Sequence, residues 1–140
     1  MEAIILKPNQ QQLIEFCHSN KIIDYLNIDI VPQNEDNVQL ELTVSDEHIN
    51  FGAICHGGVL ATMADNAMGL ACNRLNKSVV TMNLSIDFIK AIPISTRIIA
   101  KPEVLHNGRQ TMLCECKIID ENGKIYSKVH ATFFVIGEFV

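Results

Sequence analysis

Apolar and polar positions change period several times along the chain, and each change predicts an element. Leu13, Phe16 and Cys17 recur at helical spacing within residues 9–20, after Pro8 and a capping Asn9. They predict a short amphipathic helix with those three side chains facing inward. Residues 22–31 are mixed and read as a turn followed by a first strand that ends at Pro32; residues 34–37 form a polar turn. Val38, Leu40, Leu42 and Val44 then alternate with Gln39, Glu41 and Thr43, the period of a half-buried strand. From Val59 the period lengthens. Val59, Leu60, Met63, Ala67, Leu70 and Ala71 make the apolar stripe of a long helix that ends near residues 73–77. Four strand segments follow, at about 80–88, 96–105, 110–119 and 125–136, with hairpin signals at His106-Asn107-Gly108 and Glu121-Asn122-Gly123. In the segment at 80–88, Val80, Met82, Leu84, Ile86 and Phe88 alternate with Thr81, Asn83, Ser85 and Asp87. Two strands, a long helix and a four-strand meander is an α+β order, in which a curled antiparallel sheet buries the helix.

The face of that helix opposite the stripe carries Gly58, Thr62, Asp65, Asn66 and Gly69, all small or short and polar. A helix apolar on one side and small on the other is expected to be buried nearly all round. A carboxylate inside it is costly unless it is paired or used. Asp65 is therefore either a polar residue at a subunit seam or a catalytic group.

The start of the helix adds a second candidate. Its first turn leaves backbone N–H groups without partners at the positive end of the helix dipole. Gly57 and Gly58 let a ligand oxygen approach them closely. A phosphate-binding loop is excluded, because Gly58-Val59 stands where Lys-Ser/Thr is required after Gly52 and Gly57. Polarising a carbonyl that becomes an oxyanion remains, with Gly57 as the donor and Gly58 as a packing residue. Gly58 and Asp65 share a helix face but lie roughly 10 Å apart along the axis. A reacting carbonyl must sit about 3 Å from both its oxyanion donor and its nucleophile or base. If both groups act together, the N–H comes from one subunit and the carboxylate from another, across two antiparallel copies of the helix.

Asn50, then His56-Gly57-Gly58, then Asp65-Asn66 resembles the hotdog-fold acyl-CoA thioesterases of the phenylacetic-acid-degradation (PaaI) type. The likeness continues through the segment from Thr81 to Lys90 and Pro93, similar to the family's third strand, and through Asn107-Gly108-Arg109, similar to its hairpin; it spans about residues 25–137. The resemblance implies a hotdog fold, an antiparallel sheet wrapped around a long central helix. It implies hydrolysis of an acyl-CoA thioester, with Asp65 as general base or nucleophile and the Gly57 N–H as oxyanion donor. Asn50 would stand by the attacking water or the thioester, His56 would position the loop, and Thr81 would contact the site. Gly58, Lys90 and Arg109 complete the expected substrate-binding set, the last two as candidates for the phosphates of coenzyme A.

Composition narrows the rest. The 140 residues fit one domain, 1–140, with 1–24 as an N-terminal helix and lead-in, and 48% hydrophobic with 19% charged residues describes a globular chain. A formal net charge of −5 argues against a nucleic-acid binder. The residues from Met1 to Pro8 do not read as a secretory signal, and no apolar run approaches the ~18 residues of a membrane helix. Five cysteines without framework spacing point to reduced thiols and a cytoplasmic setting. Cys55, beside His56 at a helix start, is a rival nucleophile that reads better as a packing residue. Cys114 and Cys116 share a strand face without further ligands, so no metal is expected, and no cofactor beyond coenzyme A as part of the substrate. His18, His48, His106 and His130 read as surface or strand residues. The expected assembly is a homodimer, which the resemblance extends to a dimer of dimers. The rival functions are a non-catalytic acyl-CoA binding module and a hotdog hydratase or dehydratase.

Overall fold

A computed structural model describes residues 6–140, and the reading of the leading segment falls partly on residues 1–5, outside those described. Asn9 and Gln12 cap the first helix reciprocally. The Asn9 side chain accepts from the Gln12 N–H at 2.9 Å, and the Gln12 side chain accepts from the Asn9 N–H at 2.8 Å. This starts α1 (Gln10–Ser19), whose Leu13 and Cys17 are buried. Phe16 departs from the expected inward position: it is 46% exposed and meets Phe139 edge to face, ring centroids 5.0 Å apart. A second, five-residue helix, α2 (Lys21–Tyr25), occupies what read as a turn and buries Ile23.

The strands are β1 (Asp29–Pro32), β2 (Val38–Thr43), β3 (Lys77–Phe88), β4 (Arg97–Asn107), β5 (Thr111–Asp120) and β6 (Ile125–Glu138), and the central helix is α3 (Gly57–Arg74). They form one antiparallel sheet in the order β1-β2-β4-β5-β6-β3. The chain closes the β4–β5 hairpin at Gly108, where an added Cβ would meet the Thr111 carbonyl at 2.7 Å. The β5–β6 turn uses Gly123 at φ +84°. Arg97 fastens the β1 edge, pairing with Asp29 and, at 3.2 Å, with Glu41.

Helix α3 lies across the inner face of the sheet, packed on β3, β4, β5 and β6. Val59, Leu60, Met63, Ala67, Met68 and Leu70 join Leu40, Leu42, Ile98, Met112, Ile118 and Phe133 in one hydrophobic core. This is the expected hotdog arrangement. The small face of α3 is not buried all round, however: Thr62, Asp65, Asn66 and Gly69 are only half-buried. On the same side β3 is an edge strand of twelve residues that exposes Val80 and Met82.

The strict alternation expected along β3 is broken. Thr81 faces Phe133 of β6 and Asn83 faces Thr132, so Met82 is an extra residue, a β-bulge. Phe133 and Ala131 both point into the core, and Thr81 and Leu84 stand opposite them. Thr81 and Leu84 therefore share the inner face, although three positions apart they would face opposite ways on a regular strand.

Candidate active site

The loop before α3 is fixed by a buried histidine. His48 is 1% exposed and lies in a turn, neither the surface nor the strand position expected. Its Nδ1 accepts from the Ser45 N–H at 3.0 Å, its Nε2 donates to the Leu26 carbonyl, and its own carbonyl accepts from the His56 N–H at 2.7 Å. His18, His106 and His130 are exposed. Asn50 shapes the next turn: its Oδ1 accepts from the Gly52 N–H at 2.8 Å, and its backbone pairs with Ile54.

His56 is the N-cap of α3. Its Nδ1 accepts from the Gly58 N–H at 3.1 Å, which puts the proton of a neutral ring on Nε2. With Gly58 so capped, the Gly57 N–H donates to no group among the described residues. It is left directed at the space before the helix, where the dipole favours negative charge. The Phe88 ring covers Gly57 closely: a Cβ there would meet the ring tip at 2.8 Å. Gly58 is exposed and a Cβ on it would meet only the His56 ring at 3.4 Å, so packing within the chain does not require a glycine there.

Asp65 lies eight residues beyond Gly57, roughly 12 Å along the helix. Thr81 Oγ1 donates to Asp65 Oδ1 at 2.7 Å, and the bulge at Met82 is what brings it there. Beside Asp65, Asn66 Oδ1 accepts from Asn20 Nδ2 at 2.5 Å, tying the end of α1 to α3. The chain thus gathers these residues around two separate pockets. Asn50, Gly57, Phe88 and Lys90 line one pocket, and Asp65 and Thr81 line another. Arg109 lies in neither. It sits on the β4–β5 hairpin beside Lys77, at the opposite end of β3 from Lys90.

Cys55 is 5% exposed, and burial pushes its thiol up to about 11, which removes it as a ready nucleophile near neutrality. All five cysteines are free thiols. Among the described residues no three His, Cys, Asp or Glu side chains gather as a metal site, and no helix is long and apolar enough to cross a membrane. Sequence reasoning missed Phe88, His48 and the Asn20–Asn66 bond. Each owes its role to a contact made between distant segments, and no local motif signals it.

Comparison with known proteins bears on the family of the chain. The sequence profile of the Thioesterase superfamily matches residues 52–127, a span that includes Gly57, Asp65, Thr81 and Lys90. The acyl-coenzyme A thioesterase PaaI of Escherichia coli K12 is 31% identical over 99 residues, 71% of this chain and 71% of its own length. The solved E. coli PaaI structure superposes with a TM-score of 0.80, covering 94% of this chain and 98% of that one at 25% identity. A hypothetical thioesterase protein of Streptococcus pneumoniae TIGR4, solved with coenzyme A, gives a TM-score of 0.74 at 29% identity, over 81% of this chain and 92% of that one.

Proposed function

Since the chain belongs to the thioesterase superfamily, as a hotdog-fold, PaaI-type enzyme that hydrolyses thioesters, we propose that its substrate is an acyl-coenzyme A and that Asp65 and Gly57 of two different chains perform the cleavage. Water adds to the thioester carbonyl while the Asp65 carboxylate takes its proton. The Gly57 N–H of the partner subunit holds the oxygen that becomes negative. The C–S bond then breaks, the coenzyme A thiolate leaves and is protonated, and the free acid remains.

The observation that carries this reading is the separation of two half-sites along one helix: a Gly57 N–H without a partner, and two turns later a carboxylate held by Thr81. Two copies with their α3 helices antiparallel bring one half-site of each together. The half-buried small face of α3 and the long free edge of β3, with Val80 and Met82 exposed, favour such a pairing. Lys90 of one copy and Arg109 of the other, at opposite ends of β3 within a chain, would then approach the same coenzyme A phosphates. Five free thiols suit a reducing cytoplasm.

The test is turnover of an acyl-CoA panel, followed by direct loss of thioester absorbance, for the wild type, Asp65→Asn and Cys55→Ala. Turnover lost in Asp65→Asn and kept in Cys55→Ala is the expected result. Activity lost with Cys55→Ala and kept with Asp65→Asn would overturn the mechanism. Binding of acyl-CoA without any turnover would favour a sensing module.

A further inference from the structure

On the side of the central helix opposite Asp65 lies a separate cavity. Ala67, Ala71 and Arg74 follow Asp65 by two, six and nine residues, which turns them roughly 180–240° around α3, away from Thr81 and β3. Together with β2 and β4 this face of the helix encloses about 450 Å³, within the range of small-molecule sites. Small residues make the space: Ala67 and Ala71 of α3 meet Ala100 of β4, and Leu40, Leu70 and Val104 complete the apolar walls. Larger side chains at the alanines would close it, as a close-packed interior ordinarily does.

The mouth is cationic. Lys7, Arg74 and Lys101 line it, and no Asp or Glu does among the described residues, although the chain carries 16 acidic residues against 11 Lys and Arg. Arg74 Nη2 donates to the Glu35 carbonyl at 2.9 Å and Lys101 Nζ to Gln39 Oε1 at 2.5 Å, both neutral acceptors. Among the described residues none of the three pairs with a carboxylate. The negative end of the α3 dipole accounts for Arg74 in the last helical turn. It does not account for Lys7 on the lead-in or Lys101 on β4, whose charges repel Arg74 until an anion joins them.

We infer that this cavity binds a free carboxylic acid with an apolar body, its carboxylate among Lys7, Arg74 and Lys101 and its tail against the three alanines. The guanidinium fork of Arg74 matches a carboxylate in two parallel bonds. Since an apolar cavity of about 150 Å³ holds one benzene ring, the space takes an acid of roughly twelve to eighteen non-hydrogen atoms. The site stands on the chemistry of its own lining, whether or not Asp65 cleaves a thioester. That it holds an acid of the class released by hydrolysis, on a wall of α3 facing away from the cleavage site, rests on that reading.

Calorimetric titration of the full chain with straight-chain carboxylates of two to twelve carbons tests the inference, with decanol and decyl phosphate as head-group controls. Each titration is repeated in the presence of saturating S-decyl-coenzyme A, a non-hydrolysable thioether, and acyl-CoA turnover is measured in parallel. The double variant Arg74→Gln/Lys101→Gln removes two charges from the mouth. Ala71→Leu fills the cavity with a residue that also favours a helix. Thermal melts check that both fold. One decanoate binds per chain with or without the thioether, at least tenfold more weakly in either variant, and decanol binds the wild type at least tenfold more weakly than decanoate. Decanoate displaced by S-decyl-coenzyme A, an affinity unmoved by both variants, no binding at any length, or decanol as tight as decanoate overturns the inference. Decyl phosphate binding tenfold more tightly than decanoate overturns the assignment of a carboxylate. Absent turnover beside the expected affinities tells against the catalytic reading alone and leaves the acid site in place.

Discussion

Thr81 Oγ1 donates a 2.7 Å hydrogen bond to Asp65 Oδ1, joining the edge strand β3 to the middle of the central helix. Hydrogen bonds to charged groups contribute about 1.5–3 kcal/mol. If the bond holds the carboxylate in its working orientation, Thr81→Ala lowers kcat by roughly 10- to 100-fold with little change in KM. Thr81→Ser, which keeps the hydroxyl, recovers most of the rate. Steady-state kinetics on the three proteins decide it; equal rates for Ala and Ser would assign the hydroxyl no part.

Gly57 and Phe88 give a second prediction. A methyl group at Gly57 would meet the Phe88 ring tip at 2.8 Å, and that ring is 57% exposed and free to move. Gly57→Ala therefore folds normally but crowds the N–H, and kcat falls by roughly tenfold or more, toward the 10²–10³ seen when an oxyanion donor is lost. Phe88→Ala in the same chain relieves the contact. Kinetics of the double-mutant cycle should show the two substitutions to be non-additive.

Stability falls on the alkaline side. Burial pushes Cys17 and Cys55 up to about 11 and Cys116 up to about 12, from an ordinary 9.0. Raised folded-state values mean that these thiols stay neutral in the folded chain while the unfolded chain begins to ionise. Their contribution is full below pH 9 and is lost as pH rises through 11–12. Thermal melts should show Tm dropping between pH 9 and 11, with a shallower drop in Cys116→Ala.

His48 anchors the loop before α3 to the end of α2. Removing its ring in His48→Ala leaves the Ser45 N–H and the Leu26 carbonyl without their partner, at a cost of about 2–4 kcal/mol. His48→Asn can still accept from Ser45 and should recover part of that. Denaturant unfolding measures the difference, and equal stability of the three proteins would show that water replaces both bonds.

Much of the fold was legible because local pattern and tertiary environment agree. The alternation at Val38, Leu40, Leu42 and Val44 and the stripe of α3 became buried faces as read, and Gly108 and Gly123 sit in the turns their sequences announce. The glycine pair and Asp65 stood out as candidates because glycines at a helix start and a carboxylate within a largely buried helix each carry a local cost. Thr81 was harder. Its simple alternation put it among the polar positions of β3, and only the register slip at Met82, set by pairing with β6, turns it inward. Phe16 and His48 were misplaced for the converse reason: a cavity leaves one partly uncovered, and a distant carbonyl lets the other be buried.

The central claim, that one site draws on two chains, is tested most directly by complementation. Asp65→Asn and Gly57→Val each disable one half-site, so each variant alone should have little activity. Subunits of the two are mixed and allowed to exchange, and mass spectrometry confirms the hybrid. In a two-fold dimer half of the molecules are then hybrids, each with one intact composite site, and activity should return to roughly a quarter of the wild-type value. Hybrids as inactive as both parents would contradict the account, because that is the result expected if Asp65 and Gly57 of the same chain served one site.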